Sequence, residues 1–236
     1  MSGGDGTRPS GRRTAVEYVH EELRYRILTG ELKGGTHLTQ ADVAHEMDVS
    51  TTPVREAFRQ LATEGLVALD THRGVVVHKP DLEDAEELFA LRRLLEPYAA
   101  QLAVQRITDE EVAAIKEFHE EMLAARSVSD WFSLNRNFHR TLISASRSSR
   151  LVSTLHSLID ATAIYLALSL RTVSQPFHIG NKDHTSILQA LETRDADALS
   201  EAVLLHLEHS RTLVQDALKG SSVADLGQDP ATSSSH

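Results

Sequence analysis

The sequence predicts a mainly α-helical protein in two parts: a small helical domain that ends in a β-hairpin, and an all-α antiparallel helix bundle. Three observations predict this class. The chain is 41% hydrophobic but only 5% aromatic, and it is rich in Leu and Ala, which favours helices over sheets. Apolar residues recur at helical spacing along most of the chain. Short β-prone runs are confined to residues 66–77, ahead of Pro80.

Composition excludes several classes of protein. The 236 residues contain no cysteine, which rules out disulfides, thiolate metal sites and a cysteine nucleophile. No apolar run approaches the ~20 residues of a membrane span, and the first residues are polar rather than signal-like. We therefore expect a cytoplasmic protein with no membrane partner.

Changes in composition divide the chain into four segments. Residues 1–13 and 220–236 are rich in Gly, Ser and charged residues and lack apolar periodicity, so both are predicted to be disordered tails. Between them, the pattern changes at Lys79-Pro80-Asp81. We expect one domain over residues 14–79 and a second over residues 80–219.

The first domain shows three helices and a hairpin. Apolar residues at helical spacing run from Thr14 to Thr29, and a capping-box pattern at Thr39 and Asp42 begins a short second helix. Thr52 followed by Pro53 predicts an N-cap and a first helical residue for a third helix that reaches Gly65. Two short β-prone runs, 66–69 and 74–77, follow. Three helices and a hairpin in about 65 residues form the winged helix-turn-helix pattern.

The second domain has helical patterns throughout and no strand signal. A capping box at Thr108 and Glu111 and a helix start at Ser129-Asp130 help to place its elements. Helices are predicted near 81–106, 108–126, 129–146, 149–172, 177–193 and 195–219.

The net charge of −10 argues only weakly against nucleic acid. Residues 1–80 carry 10 Lys and Arg against 11 Asp and Glu, whereas residues 81–236 carry 14 against 23. The excess acid therefore lies in the second part, and a nearly neutral first domain can still bind DNA with basic groups on one face.

Several motifs, in order, resemble the GntR family of bacterial regulators and the FCD effector domain of its FadR subfamily. The first is the run from Val49 to Phe58, VSTTPVREAF, followed by Leu61 and the run Glu64 to Val67. The second part contributes LRRLLE at 91–96, NRNFH at 135–139, HTSILQAL at 184–191, then Asp195, Ala198 and His206-Leu207. The likeness spans about residues 14–215. It implies a dimeric regulator that binds a double-stranded DNA operator and responds to a ligand.

The third helix offers the DNA-reading residues. Its N-terminal face carries Thr51, Thr52, Arg55 and Arg59. Arg55 is the best base reader, because a guanidinium can donate two hydrogen bonds to guanine. An ion pair with Glu56 or Glu64 is the alternative role for Arg55. The family commonly has Arg where this chain has Thr51, which indicates a different operator.

The predicted hairpin tip is His72-Arg73-Gly74, and it resembles the family wing that enters the minor groove. Gly74 permits close backbone approach or a positive φ. A solvent-exposed hairpin residue is the alternative reading of Arg73.

Histidines in the second domain are candidate metal ligands. Asn135 and His139 share a helix face at a spacing of four, and His184 and His206 lie on later helices. With 13 histidines in the chain, spacing alone would favour unrelated histidines. The resemblance implies that His139, His184, His206 and Asn135 bind a divalent metal, with zinc first and nickel or manganese next.

The family usually has Asp at the Asn135 position, so Asn135 is either a weaker ligand or a hydrogen-bonding neighbour. His178 and His209 lie outside the pattern, and His209 is the nearer rival to His206.

Arg92 and Asn135 are the candidate effector-binding residues. A metal with open positions beside an arginine predicts a small carboxylate effector. The alternative for Arg92 is a surface ion pair with Glu96, four residues later.

We expect a regulator that acts as a repressor and is not an enzyme. Two other functions are the alternatives. An all-helical metalloenzyme with histidine ligands would leave residues 14–78 unexplained. An architectural DNA-binding protein without an effector would leave the bundle histidines without a purpose.

Overall fold

A computed structural model describes residues 14–70, 74–170 and 177–226. The first part contains α1 (Ala15–Leu28), β1 (His37–Thr39), α2 (Gln40–Glu46), α3 (Thr51–Thr63), β2 (Val67–Asp70) and β3 (Gly74–Val77). The second contains α4 (Leu82–Val104), α5 (Asp109–Ala124), α6 (Val128–Ser144), α7 (Ser149–Leu170), α8 (His178–Glu192) and α9 (Ala196–Leu226). The predicted class, a mainly helical protein with a small sheet, is confirmed.

In the first part, α1, α2 and α3 pack around one apolar core. The capping box of Thr14 and Glu17 begins α1, whose buried Leu23 and Ile27 pack with Phe58 and Leu61 of α3 in this core. The tight turn between α2 and α3 places Asp48 at a φ of 52°. A short residue with a polar side chain tolerates this left-handed conformation well.

The wing is a three-stranded sheet rather than the predicted hairpin alone. Strand order is β1-β3-β2, and β1 pairs antiparallel with β3 so that Leu38 lies opposite Val75. β1 was not predicted, because a strand of three residues directly before a helix has too few residues to show alternation. The sheet closes over the buried residues Leu66, Val75 and Val77.

The third helix begins earlier than predicted. Ser50 is extended, with a φ of −75° and a ψ of 165°, and the helix starts at Thr51. Thr52 is therefore not the N-cap, and Pro53 is the third helical residue rather than the first. Proline is tolerated there because the first turn has no intrahelical partners for its N–H groups.

The second part is the predicted helix bundle, with two differences at helix ends. Ser127, not Ser129, caps α6 and accepts a hydrogen bond from the backbone N–H of Asp130. The last helix continues to Leu226, so residues 220–226 are not the disordered tail that the sequence predicted. Adding residues to an existing helix costs little, and Pro230 is the first proline after its start. Residues 1–13 and 227–236, also predicted as tails, lie outside the described residues.

By length and composition alone, one helix in the described ranges could cross a membrane, and it is α7. This helix packs against α4, α6 and α9 and buries residues such as Leu155, Ala163 and Tyr165. Its apolar character is therefore that of a core helix.

The two parts meet along α1, the end of α3 and α7. The φ of Gly65 is +70°, and a Cβ at this position would lie 3.1 Å from both the Cα and the Cβ of Ala161 on α7. His78, after β3, lies 3.0 Å from the Tyr165 hydroxyl, which also donates to Asp84 at the start of α4. Helix α3 thus ends directly against α7 of the bundle.

Candidate functional site

The third helix presents its predicted DNA-reading face to solvent. Val54, Ala57, Phe58 and Leu61 face the core, and Thr51, Thr52, Arg55 and Arg59 are all exposed. Glu56 lies between the two arginines, 3.7 Å from Arg55 Nε and 3.0 Å from Arg59 Nη1. Exposed ion pairs contribute about 0–1 kcal/mol, so both guanidiniums remain available to phosphates or bases. Glu64, the other partner considered for Arg55, pairs instead with Arg24 and His20.

In the wing, His72 and Arg73 lie outside the described residues. Gly74 begins β3 opposite Thr39, and a Cβ there would overlap the Leu38 carbonyl oxygen. Of the two reasons considered for a glycine at this position, close backbone approach is therefore the one that applies.

Three imidazoles meet inside the bundle. His139 on α6, His184 on α8 and His206 on α9 are buried, and one ligand nitrogen of each lies within 4.8 Å of the others. Nε2 of His139 is 3.2 Å from Nε2 of His184, and the rings of His139 and His206 stack with centroids 4.9 Å apart. Helices distant in sequence thus bring the three predicted metal ligands to one point.

The local electrostatics favour neutral imidazoles. Burial, followed by the charges of His206 and Arg92, lowers the pKa of His139 well below its usual value. Burial, followed by the charges of His206, His139 and His119, does the same to the pKa of His184. Neutral imidazole is the form that coordinates a metal.

Asn135 provides a further test of whether these residues could bind a metal. Its Oδ1 atom is buried and accepts no hydrogen bond from the described residues. A buried oxygen left in this way costs about 1–3 kcal/mol unless something satisfies it. An oxygen acceptor and three imidazoles form a donor set suited to a divalent cation, so the residues fit the metal that the family implies.

Asp183 is a site residue that the sequence analysis missed. Its carboxylate is buried, 3.4 Å from Nδ1 of His206 and 3.0 Å from Nδ1 of His209. Burial raises the pKa of Asp183, but the imidazoles of His206 and His209 beside its carboxylate outweigh burial and lower that pKa. A carboxylate at one ring nitrogen orients a histidine and leaves the other nitrogen for a metal. His209, the rival of His206, is thus a partner of Asp183, and His178 is exposed.

A small cavity of about 20 Å³ adjoins the histidines, and its polar lining consists of Arg24, Arg92, Asn135, Arg136, His139, Asp160 and His206. Arg92 Nε donates to Glu96 Oε1 at 2.6 Å, and both side chains are buried. The pair that the sequence placed at the surface therefore exists inside the bundle, where Arg92 also faces the cavity.

A winged helix-turn-helix whose third helix exposes two arginines, joined to a helical bundle, defines the class of DNA-binding transcription regulators. Comparison with known proteins agrees. Residues 15–77 match the model of the bacterial regulatory proteins of the gntR family, and residues 87–209 match the FCD domain.

The HTH-type transcriptional repressor RspR of Escherichia coli is 28% identical over 195 residues, which is 81% of this chain and 85% of the repressor. The Nta operon transcriptional regulator of Aminobacter aminovorans is 26% identical over 188 residues, covering 79% of this chain and 88% of the regulator. A crystal structure of a GntR-type transcriptional regulator from Rhodococcus sp. RHA1 aligns with a TM-score of 0.69 at 25% identity, over 86% of this chain and 98% of that one.

The chain belongs to the GntR family of bacterial transcription regulators and carries an FCD domain. It is a regulator and not an enzyme, since its relatives are named as transcriptional regulators. The metalloenzyme alternative is therefore wrong.

Proposed function

We propose that the protein is a dimeric repressor whose operator binding is modulated by a small organic acid bound at a divalent metal in the bundle. The observation that carries this proposal is the meeting of His139, His184 and His206 beside the unsatisfied Oδ1 of Asn135. A bound cation would explain why these imidazoles and an amide oxygen without a hydrogen-bond partner are buried together.

The metal-binding residues would be the three histidines and Asn135, with zinc as the first candidate and nickel or manganese next. Imidazole suits all of these metals, although an amide oxygen is a weaker ligand than a carboxylate. When bound, such a cation offers open positions to carboxylate and hydroxyl oxygens. Arg92, which lines the same cavity, would contribute hydrogen bonds to the same ligand.

On the DNA side, we propose that Arg55 reads bases while Thr51, Thr52 and Arg59 contact phosphates or the edges of bases. Their exposure on one face of α3 supports this assignment. The wing residues His72, Arg73 and Gly74 would contact the minor groove, as the family resemblance implies.

The deciding test measures metal by elemental analysis after saturation with zinc and gel filtration. We expect one metal per subunit in the wild type and in His209→Ala, the matched control, whose imidazole contacts Asp183 but lies outside the group of three. The double variant His139→Ala/His206→Ala should lose the metal. Asn135→Asp should tighten binding if Asn135 is a ligand and change it little if Asn135 is a neighbour.

The same samples test stability and regulation. A metal that binds only the folded state stabilises it by about 2.7 kcal/mol at a hundred times its Kd, so the metal-free protein should melt at a lower temperature. Operator fragments selected from random DNA should lose affinity when a carboxylate binds the metal-loaded protein. Equal, sub-stoichiometric metal in the wild type and in the double variant would remove the metal from the proposal.

A further inference from the structure

Charged groups are concentrated where the DNA-binding domain meets the bundle. Glu64, the C-cap residue of α3, is buried among His20 and Arg24 of α1, at 2.8 and 3.1 Å, and Arg136 of α6, at 3.5 Å. Burial raises the pKa of Glu64, but the hydrogen bond from His20 and the charges of Arg24, His20 and Arg136 together lower it. The end of the recognition helix is therefore held by ionic contacts to both parts of the protein.

The same cluster extends along α6 and α7. Arg136 Nε lies 2.8 Å from Asp160 Oδ1, and Arg140 Nη1 lies 3.0 Å from Asp160 Oδ2. The cluster thus has three guanidinium groups against the carboxylates of Glu64 and Asp160. It carries an excess of positive charge even before His20 is counted, which favours one further anionic group.

This cluster also contributes to the wall of the cavity beside the histidines. Arg24, Arg136 and Asp160 line the same cavity as His139 and His206. Arg136 directly follows Asn135, so α6 carries residues of both the histidine group and the charged cluster. Among the described residues that border this cavity, Arg24 is the one that belongs to the DNA-binding domain.

The size of the cavity requires its wall to move. About 20 Å³ has room for little more than one water molecule, so an organic acid cannot enter unless a side chain is displaced. Arg24 can move, because its other side borders an open cleft of about 330 Å³ between α1 and α6. Glu22 and Asp130 line that cleft, where solvent screens their charges.

We propose that Arg24 and Arg136 bind a second anionic group of the effector, which makes the effector a dicarboxylate rather than a monocarboxylate. This rests on the proposed function, in which the first carboxylate occupies the metal end of the cavity. The second carboxylate competes with Glu64 for the two arginines. Glu64 then keeps only His20 of its three partners, so the end of α3 loses its ionic contact to α6 and one of its two ionic contacts to α1, which weakens operator binding.

The experiment uses full-length, zinc-loaded protein and calorimetric titration with malate and succinate as dicarboxylates and with lactate and propionate as monocarboxylates. Arg24→Gln and Arg136→Gln should lower malate affinity about tenfold to a hundredfold, the loss expected for charge-assisted hydrogen bonds. Lactate affinity should stay unchanged in both variants, because lactate occupies only the metal end. Arg140→Gln is the matched control, since Arg140 pairs with Asp160 but does not border the cavity.

Glu64→Gln should change malate affinity in the opposite direction to the two arginine variants. A folding defect would not raise affinity. Removing the competing carboxylate should raise malate affinity and leave lactate affinity unchanged. Fluorescence anisotropy with operator DNA should show that malate releases the wild type from DNA, and that it changes the DNA affinity of Glu64→Gln much less.

The outcomes separate this inference from the proposed function. If the wild type binds none of the four acids, the proposed effector class is wrong, and this inference fails with it. If the wild type binds malate but Arg24→Gln binds it equally well, or Arg140→Gln loses as much affinity as Arg24→Gln, only the present inference is overturned. Weaker malate binding by Glu64→Gln also overturns it.

Discussion

At the scale of single residues, the DNA-binding face depends on whether Arg55 is free to leave Glu56. Their 3.7 Å contact is exposed and weak, and a bidentate contact to guanine would replace it. Arg55→Ala should therefore reduce operator affinity by about 1–3 kcal/mol and should relax base preference at one position of each half-site. The measurement is an anisotropy titration at fixed salt with operator DNA and with a scrambled duplex.

Arg150→Ala is a suitable control, because Arg150 is also exposed but lies in the first turn of α7, far along the chain from the helix-turn-helix. Its affinity for both duplexes should match that of the wild type. Equal losses on operator and scrambled DNA in Arg55→Ala would mean that Arg55 contacts phosphate only.

The buried histidines predict how stability depends on pH. His139 and His184 have lowered pKa values in the folded state, whereas in the unfolded chain each takes up a proton below pH ~6.5. The folded state then binds fewer protons, so stability falls as pH falls from that value. Between pH 7.5 and 5.5, urea unfolding of the metal-free protein should show a loss of about 1.4 kcal/mol for each histidine.

His184→Leu should remove about half of that slope, because one of the two titrating groups is gone. His45→Gln, an exposed substitution on α2, should keep it. An unchanged slope in His184→Leu would show that the imidazole takes up its proton over the same pH range in the folded and the unfolded protein.

The sequence was sufficient to identify the three histidines but not their surroundings. The family motifs identified the three histidines in the sequence. The packing of the helices that carry these histidines brings their side chains together. The role of Asp183 could not be predicted from the sequence, because a carboxylate next to a histidine in sequence is common. Its contact to His206 also joins two different helices. The ion pairs of Glu64 join residues 40 or more positions apart, a separation at which local patterns carry no information.

At the scale of elements, local chemistry predicted the long helices well and their ends less well. The capping patterns predicted at Thr39 and Thr108 mark true helix starts. At α3 and α6, however, several Ser and Thr residues compete for the cap, and tertiary packing selects Ser50 and Ser127. β1 depends on pairing with β3, which a local pattern of three residues cannot reveal.

The junction between α3 and the bundle predicts a difference between two glycine substitutions. Gly35 and Gly65 both have a positive φ, which costs an alanine about 1–2 kcal/mol. A Cβ at Gly35 would meet nothing within 4 Å, whereas one at Gly65 would press on Ala161 at 3.1 Å. Gly65→Ala should therefore destabilise the protein more than Gly35→Ala does, as measured by urea unfolding.

Because Gly35→Ala shares the backbone cost, the difference between the two variants reports the contact between α3 and α7. Equal losses of stability would mean that the two parts separate easily and that Gly65 does not hold them together. Operator affinity measured on the same pair then shows whether that contact also positions the recognition helix.

At the scale of the whole molecule, the exposed apolar surface of the bundle is where we expect the two copies of the proposed dimer to meet. On α4, Leu91, Leu94 and Tyr98 are 40%, 74% and 56% exposed. Their spacing of three and four residues places them on one helix face. An exposed apolar stripe of this kind is typical of an interface between subunits. We therefore expect α4 to form part of the dimer contact.

A dimer is needed because one recognition helix reads only a half-site, and two must lie about 34 Å apart to reach successive major grooves. Leu91→Glu/Leu94→Glu should yield monomers in sedimentation at micromolar concentration, since charges facing each other across an apolar contact are costly to bury. Operator affinity should fall toward that of nonspecific binding. Leu123→Glu, at a site on α5 that is 61% exposed, should remain dimeric. A monomeric variant that still binds its operator tightly would show that each subunit recognises DNA alone.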